Sequence, residues 1–190
     1  MPKTILLIRH GQSTFNAHYE ATGQDPGHFD APLTELGHAQ AAQVREDLAG
    51  TPVDLAVCSP LTRAIQTTLG IFGARGVPVH VTHHHRERLE SSCDVGQSPT
   101  LLREHFPNLV FDHLDDPWWH HDPDMSEPFV IEPQDVFEKR VQEFADWICA
   151  RPEANVAVIG HGTFFHALTG RWLRNCEVME WRPGPLRATA

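Results

Sequence analysis

Four short apolar runs constrain this chain more than any other feature: TILLI (4–8), VDLAVCS (53–59), VPVHVT (77–82) and NVAVIGHG (155–162). Each is rich in β-formers and bounded by turn residues, the pattern of strands covered on both faces. Helical segments lie between them. Residues 34–49 open at Thr34 and Glu35 and carry Leu36, Ala41, Val44 and Leu48 along one side. Residues 60–72 begin with Pro60 after Ser59, an N-cap residue followed by proline at the first helical position. Residues 133–150 place Phe137, Val141, Phe144 and Ile148 on one helical face, and residues 163–174 supply a helix after the last run. Alternating strand and helix predicts a mainly parallel sheet with helices on both faces.

Residues 90–132 break the alternation. The stretch FDHLDDPWWHHDPDMSEPF (111–129) has no sustained period, and the segment is too long for a plain connection. Its Phe106, Phe111, Trp118, Trp119 and Phe129 predict a packed cap on a single domain spanning 1–190, with the tryptophans as cap core.

Composition narrows the partners. A hydrophobic fraction of 41% beside 21% charged residues is ordinary for a globular chain. A formal net charge of −10 argues against nucleic acid or an anionic membrane, while allowing a locally basic pocket. Cys58, Cys93, Cys149 and Cys176 are widely spaced, which predicts free thiols and a cytoplasmic protein. No stretch is long enough to span a membrane, and the apolar run in MPKTILLIRH is too short for a signal peptide.

Strand ends carry the chemistry. The first run passes into Arg9-His10-Gly11, the last into His161-Gly162, and the second leads to Arg63 in SPLTRAIQT. Parallel strands share one C-terminal edge, where open α/β sheets hold their ligands. Two histidines and two arginines therefore converge near helix N-termini, a setting suited to a tetrahedral dianion. His83-His84-His85 reads as solvated loop histidines, because adjacent extended residues point to opposite faces and cannot chelate together. The reading therefore includes no metal site.

The residues RHGQSTFN (9–16), DAPLTELGHAQA (30–41), CSPLTRAIQT (58–67), RE (86–87) and GHG (160–162) together resemble the histidine phosphatase superfamily, the phosphoglycerate mutase-like fold. The resemblance implies a three-layer α/β/α architecture with a small cap insertion and a covalent phosphohistidine intermediate. It makes His10 the nucleophile, its other ring nitrogen donating to a backbone carbonyl, with Arg9, Arg63 and His161 holding the phosphoryl oxygens. Asn16, Thr22, Gly23 and Gly162 would line the phosphate and substrate entrance. The general acid comes from the loop after the third strand, with Glu87 preferred and Glu90 the rival. No cofactor or metal is required.

Within that family, a mutase needs several cations in its cap. Here Arg103 stands among Asp94, Glu104, Asp112, Asp115, Asp116, Asp122, Asp124 and Glu127. The expectation is a phosphomonoester hydrolase acting on a small-molecule phosphate ester, with phosphate as product or inhibitor. Its alternatives are a cofactor-dependent phosphoglycerate mutase, a non-catalytic phosphate- or phosphoprotein-binding module, and a metal-dependent phosphatase. A homodimer stays open.

Overall fold

The computed structural model describes residues 3–122, 124, 127 and 129–182. Pro123, Met125, Ser126 and Pro128 of the expected cap lie outside the described residues. The four apolar runs form strands β1 (Thr4–Arg9), β2 (Leu55–Cys58), β3 (Val79–Val81) and β4 (Asn155–Gly160), joined by an unforeseen β5 (Val178–Trp181). Their order is β3-β2-β4-β1-β5, parallel throughout except for β5, which pairs antiparallel with β1 at the edge. Arg9 lies opposite Gly160, and Cys58 opposite Ile159, so β1, β2 and β4 end level with one another.

Among the described residues, six α-helices complete the architecture: α1 (Thr14–Thr22), α2 (Glu35–Asp47), α3 (Thr62–Phe72), α4 (Pro99–His105), α5 (Gln134–Ala150) and α6 (Gly162–Thr169). Successive side chains of a strand point to opposite faces, and the core divides accordingly. Ile5, Leu7, Val57, Val156 and Val158 pack with Phe137, Val141, Phe144 and Ile148 of α5 and Phe164 of α6. Ile8, Ala56, Cys58, Ala157 and Ile159 pack with Ala41 and Val44 of α2 and Ile65 and Phe72 of α3. The result is three layers, α/β/α.

Within segment 90–132, Leu102, Phe111, Leu114 and Trp118 are buried in the same cluster as α2 and α3, so the segment extends one helical layer. Its Ser98 caps α4, with Pro99 at the first helical position.

Four local expectations need correction. Ser59 does not cap α3, which begins at Thr62; the Thr62 N–H and hydroxyl instead donate to the Asp30 carboxylate at 2.8 and 2.5 Å. Leu36 is 53% exposed, because α2 meets the β1–α1 loop through Gly37, whose nearest neighbours are backbone. The last predicted helix stops at Thr169, where Gly170 takes the left-handed conformation that ends helices (φ 75°). Finally, His83–His85 form a 3-10 turn in which His85 is fully buried against Phe144 and Phe164 while His83 and His84 are half-buried, so the triplet is not a solvated loop as a whole.

Two glycines set the fit of the site loop. A Cβ on Gly11 would lie 2.5 Å from the Gly37 carbonyl oxygen, and one on Gly37 would lie 2.2 Å from that of Gln12. The loop after β1 and the first turn of α2 therefore touch backbone to backbone. Among the described residues, no helix is long and apolar enough to cross a membrane.

Candidate active site

Because β1, β2 and β4 end level, His10, Ser59 and His161 follow their last residues at one edge. His10 is 3% exposed. Its ring Nδ1 lies 2.7 Å from the Gly11 carbonyl oxygen, which can only accept. Nδ1 thus carries the proton and Nε2 is the bare nitrogen. Arg63 donates from Nε to that nitrogen at 3.2 Å, as a neutral ring allows. Burial, reinforced by Arg63 and Arg9, holds the His10 imidazole well below its ordinary pKa, so it stays unprotonated.

Arg63 enters from the first turn of α3 and is itself buried. Its Nη1 donates to the Cys93 carbonyl at 2.5 Å and its Nη2 to Asp94 at 2.9 Å. Arg9 donates from Nη1 to the Leu173 carbonyl at 2.9 Å, while its buried Nε has no partner among the described residues. A Cβ at Gly162 would come within 3.3 Å of that Nε, so glycine there leaves the guanidinium room.

His161 is fully buried, with its ring centroid 5.3 Å from that of His10. Its Nε2 pairs with the Ser59 hydroxyl at 2.7 Å, which explains why Ser59 is lost to α3 as a cap; its Nδ1 has no partner among the described residues. Burial first, then Arg63 and His10, keeps this ring neutral.

Glu87 sits at the start of α6. Its Oε2 accepts from the Thr163 N–H at 3.0 Å, and its Oε1 from Phe164 and Arg88 N–H at 2.9 and 3.1 Å. Oε2 retains a lone pair, so the group can still carry a proton there. Burial and the nearby Asp94 charge push its pKa up, outweighing those hydrogen bonds and Arg63. Glu90 is exposed and tied to Arg88 at 2.7 Å.

The Glu87 loop is clamped from behind. Fully buried Glu132 accepts from Arg86 at 2.7 Å and from Arg140 at 3.0 and 2.5 Å. Arg140 also donates to the carbonyls of His84, Arg86 and Glu87 at 3.1, 2.8 and 3.4 Å.

A cavity of about 150 Å³ beside these groups is lined by Arg9, His10, Ser13, Phe15, Asn16, Arg63, Glu87, Arg88, Glu90, Ser91, Cys93, Asp94 and Thr163, while the expected site residues His161 and Gly162 lie outside the lining. A volume of that size accommodates a benzene-sized guest, so a phosphoryl group fits while a large leaving group must extend outward. Asn16 is present, its Oδ1 accepting from the Ser13 N–H at 3.2 Å and Asn175 at 3.4 Å. Thr22 and Gly23 are not among the lining residues. They end α1 in exposed positions, Gly23 because the helix closes there at φ 69° and the Thr22 hydroxyl because it donates to the His18 carbonyl. Among the described residues, no group of three or more His, Cys, Asp or Glu side chains forms a metal-binding set.

Sequence reasoning missed four contributors. From the sequence, Asp94 reads as one of the cap's acidic charges. Asn175, which donates to the His10 carbonyl at 3.0 Å, gave no signal. Arg140 did, as a charge inside the apolar stripe of α5, and with it comes its partner Glu132.

A family model described as histidine phosphatase superfamily (branch 1) matches residues 5–190. The chain is 27% identical over 215 residues to a phosphoglycerate mutase-like protein of Arabidopsis thaliana, covering 92% of this chain and 76% of that one. It is 29% identical over 169 residues to the adenosylcobalamin/alpha-ribazole phosphatase of Escherichia coli K12, covering 88% and 77%. The solved structure of Bacillus stearothermophilus YhfR superposes with a TM-score of 0.64 at 23% identity, covering 97% and 93%, a likeness of fold. The chain belongs to the histidine phosphatase superfamily, branch 1.

Proposed function

We propose that the protein is a metal-independent phosphomonoesterase that works through a phosphohistidine on His10. The phosphatase names among its relatives support phosphatase activity. The observation that carries the mechanism is the hydrogen bond from His10 Nδ1 to the Gly11 carbonyl, which leaves Nε2 bare beside Arg63. The substrate phosphorus displaces that arginine contact and bonds to Nε2. The freed Arg63 N–H then meets a non-bridging oxygen, joined by Arg9 Nε and His161 Nδ1, two buried atoms that have no partner among the described residues. Glu87 gives its proton to the departing oxygen and in the second step takes one from water, which attacks the phosphorus and releases phosphate and neutral His10.

A hydrolase is favoured over a mutase because Arg103, the cap's clear cation, is exposed and paired with Asp112. A small-molecule ester with one phosphate fits best. Hydrolysis of an aryl phosphate in excess chelator tests the proposal. Wild-type turnover should persist, and His10→Ala should lose roughly three orders of magnitude or more. Loss of turnover in chelator would mean a metal enzyme, and equal, negligible rates in both proteins a binding module.

A further inference from the structure

We infer that Asp94 is a positioning residue of this site, orienting Arg63 over His10 Nε2 and setting the charge beside Glu87. The inference rests on the phosphohistidine reading and extends it to a carboxylate that the reaction as described does not use.

The two oxygens of Asp94 have separate partners. Oδ2 accepts from the backbone N–H groups of Glu90 and Ser91 at 3.3 and 3.1 Å, closing the turn that begins at Ser91. That is a structural duty, and one oxygen satisfies it. Oδ1 instead points inward and takes the Arg63 Nη2 at 2.9 Å, with both side chains less than a tenth exposed. With Nη1 fixed on the Cys93 carbonyl, the Arg63 fork is held at two corners, so its Nε is aimed at the His10 ring. A planar guanidinium anchored in this way loses little freedom when it accepts a phosphoryl oxygen.

Asp94 also lines the same cavity as Glu87. The charged and titratable groups that line the cavity with Glu87 are Arg9 of β1 and His10 just after it, Arg63 from α3, and Arg88, Glu90, Cys93 and Asp94 from its own side, beside the Thr163 and Phe164 N–H groups of α6. Arg63 and those N–H groups favour the carboxylate. The Asp94 charge opposes them, both directly and by offsetting Arg63, and so helps Glu87 to retain a proton for the leaving group.

The test compares kcat/KM against pH for wild type, Asp94→Asn and Asp94→Glu on two esters. One is an alkyl phosphate whose leaving group must be protonated; the other is dinitrophenyl phosphate, whose leaving group needs no proton. Asp94→Asn should move the basic limb of the alkyl profile to lower pH and lower its neutral-pH rate by about tenfold. Dinitrophenyl turnover should fall less than the alkyl rate, because the Asn Oδ1 can still accept from Arg63 and that leaving group needs no proton. Asp94→Glu keeps the charge and should keep the limb in place, while raising KM as Arg63 is displaced. A basic limb unmoved in Asp94→Asn, equal losses on both esters, or the same shift in Asp94→Glu would overturn the inference. If Asp94→Asn does not fold, the limb position in Asp94→Glu still decides. If the underlying reading were the part at fault, His10→Ala would retain wild-type turnover on both esters.

Discussion

At His10 the hydrogen bond to the Gly11 carbonyl fixes the tautomer, while burial first, and then Arg63 and Arg9, deny the ring a second proton. A depressed pKa means that the reactive neutral form persists into acid. The acidic limb of kcat/KM, corrected for substrate ionisation, should therefore lie below 6.5, the ordinary histidine value. A limb at or above 6.5 would show that His10 is not held neutral. Glu87→Gln should retain binding but lose about 10²–10³-fold in kcat on an alkyl phosphate. An unchanged rate in that variant would pass the acid's role to Glu90. The residues attached to strand ends, Arg9, His10 and His161, were legible in the sequence because strand parity and a shared edge dictate where they go. Asp94 and Asn175 were not, because they reach the site by loop conformations that no periodicity encodes.

Among the elements, the contact between the β1–α1 loop and α2 is the most exacting. Alanine is a better helix former than glycine by about 1 kcal/mol, yet a Cβ at Gly37 would strike the Gln12 carbonyl oxygen at 2.2 Å. Gly37→Ala should therefore destabilise the protein by about 1–3 kcal/mol, read as a lower urea midpoint. Gly50→Ala, where nothing lies within 4 Å, serves as the control and should be near neutral. Equal midpoints for the two variants would contradict this account of the loop. Strands β1 to β4 and helices α2, α3 and α5 were readable because their apolar positions repeat at the strand or helix period. Helix α1 buries only Phe15 and so shows no stripe, and β5 is a four-residue edge strand with one buried side chain. The dipeptide Ser-Pro illustrates the limit: it caps α4 at Ser98 but fails at Ser59, whose hydroxyl is drawn away by His161.

For the molecule as a whole, three histidines buried neutral make acid the weak side. His10 and His161 are held well below their ordinary value, and burial pushes His85 down to about 3. In the unfolded chain these rings bind protons at 6.5, so their contribution is complete above that pH. It is lost as pH falls from 6.5 toward the folded values, by up to roughly 1.4 kcal/mol per pH unit for each ring. His85→Leu removes one of them without stranding the Ile159 carbonyl, which also accepts from the Ser59 N–H at 3.2 Å. Its denaturation midpoint should fall less between pH 7 and pH 5 than that of the wild type; parallel declines would remove His85 from the explanation. The same neutrality that costs stability in acid is what leaves His10 able to attack. The most direct measurement of that attack is trapping the enzyme during turnover in alkali, where phosphohistidine survives, and mapping the adduct by mass spectrometry. With dinitrophenyl phosphate, whose departure needs no proton, we predict one phosphoryl group, on His10, more abundant in Glu87→Gln than in wild type; turnover with no such adduct in either protein, or an adduct on another residue, would contradict the mechanism.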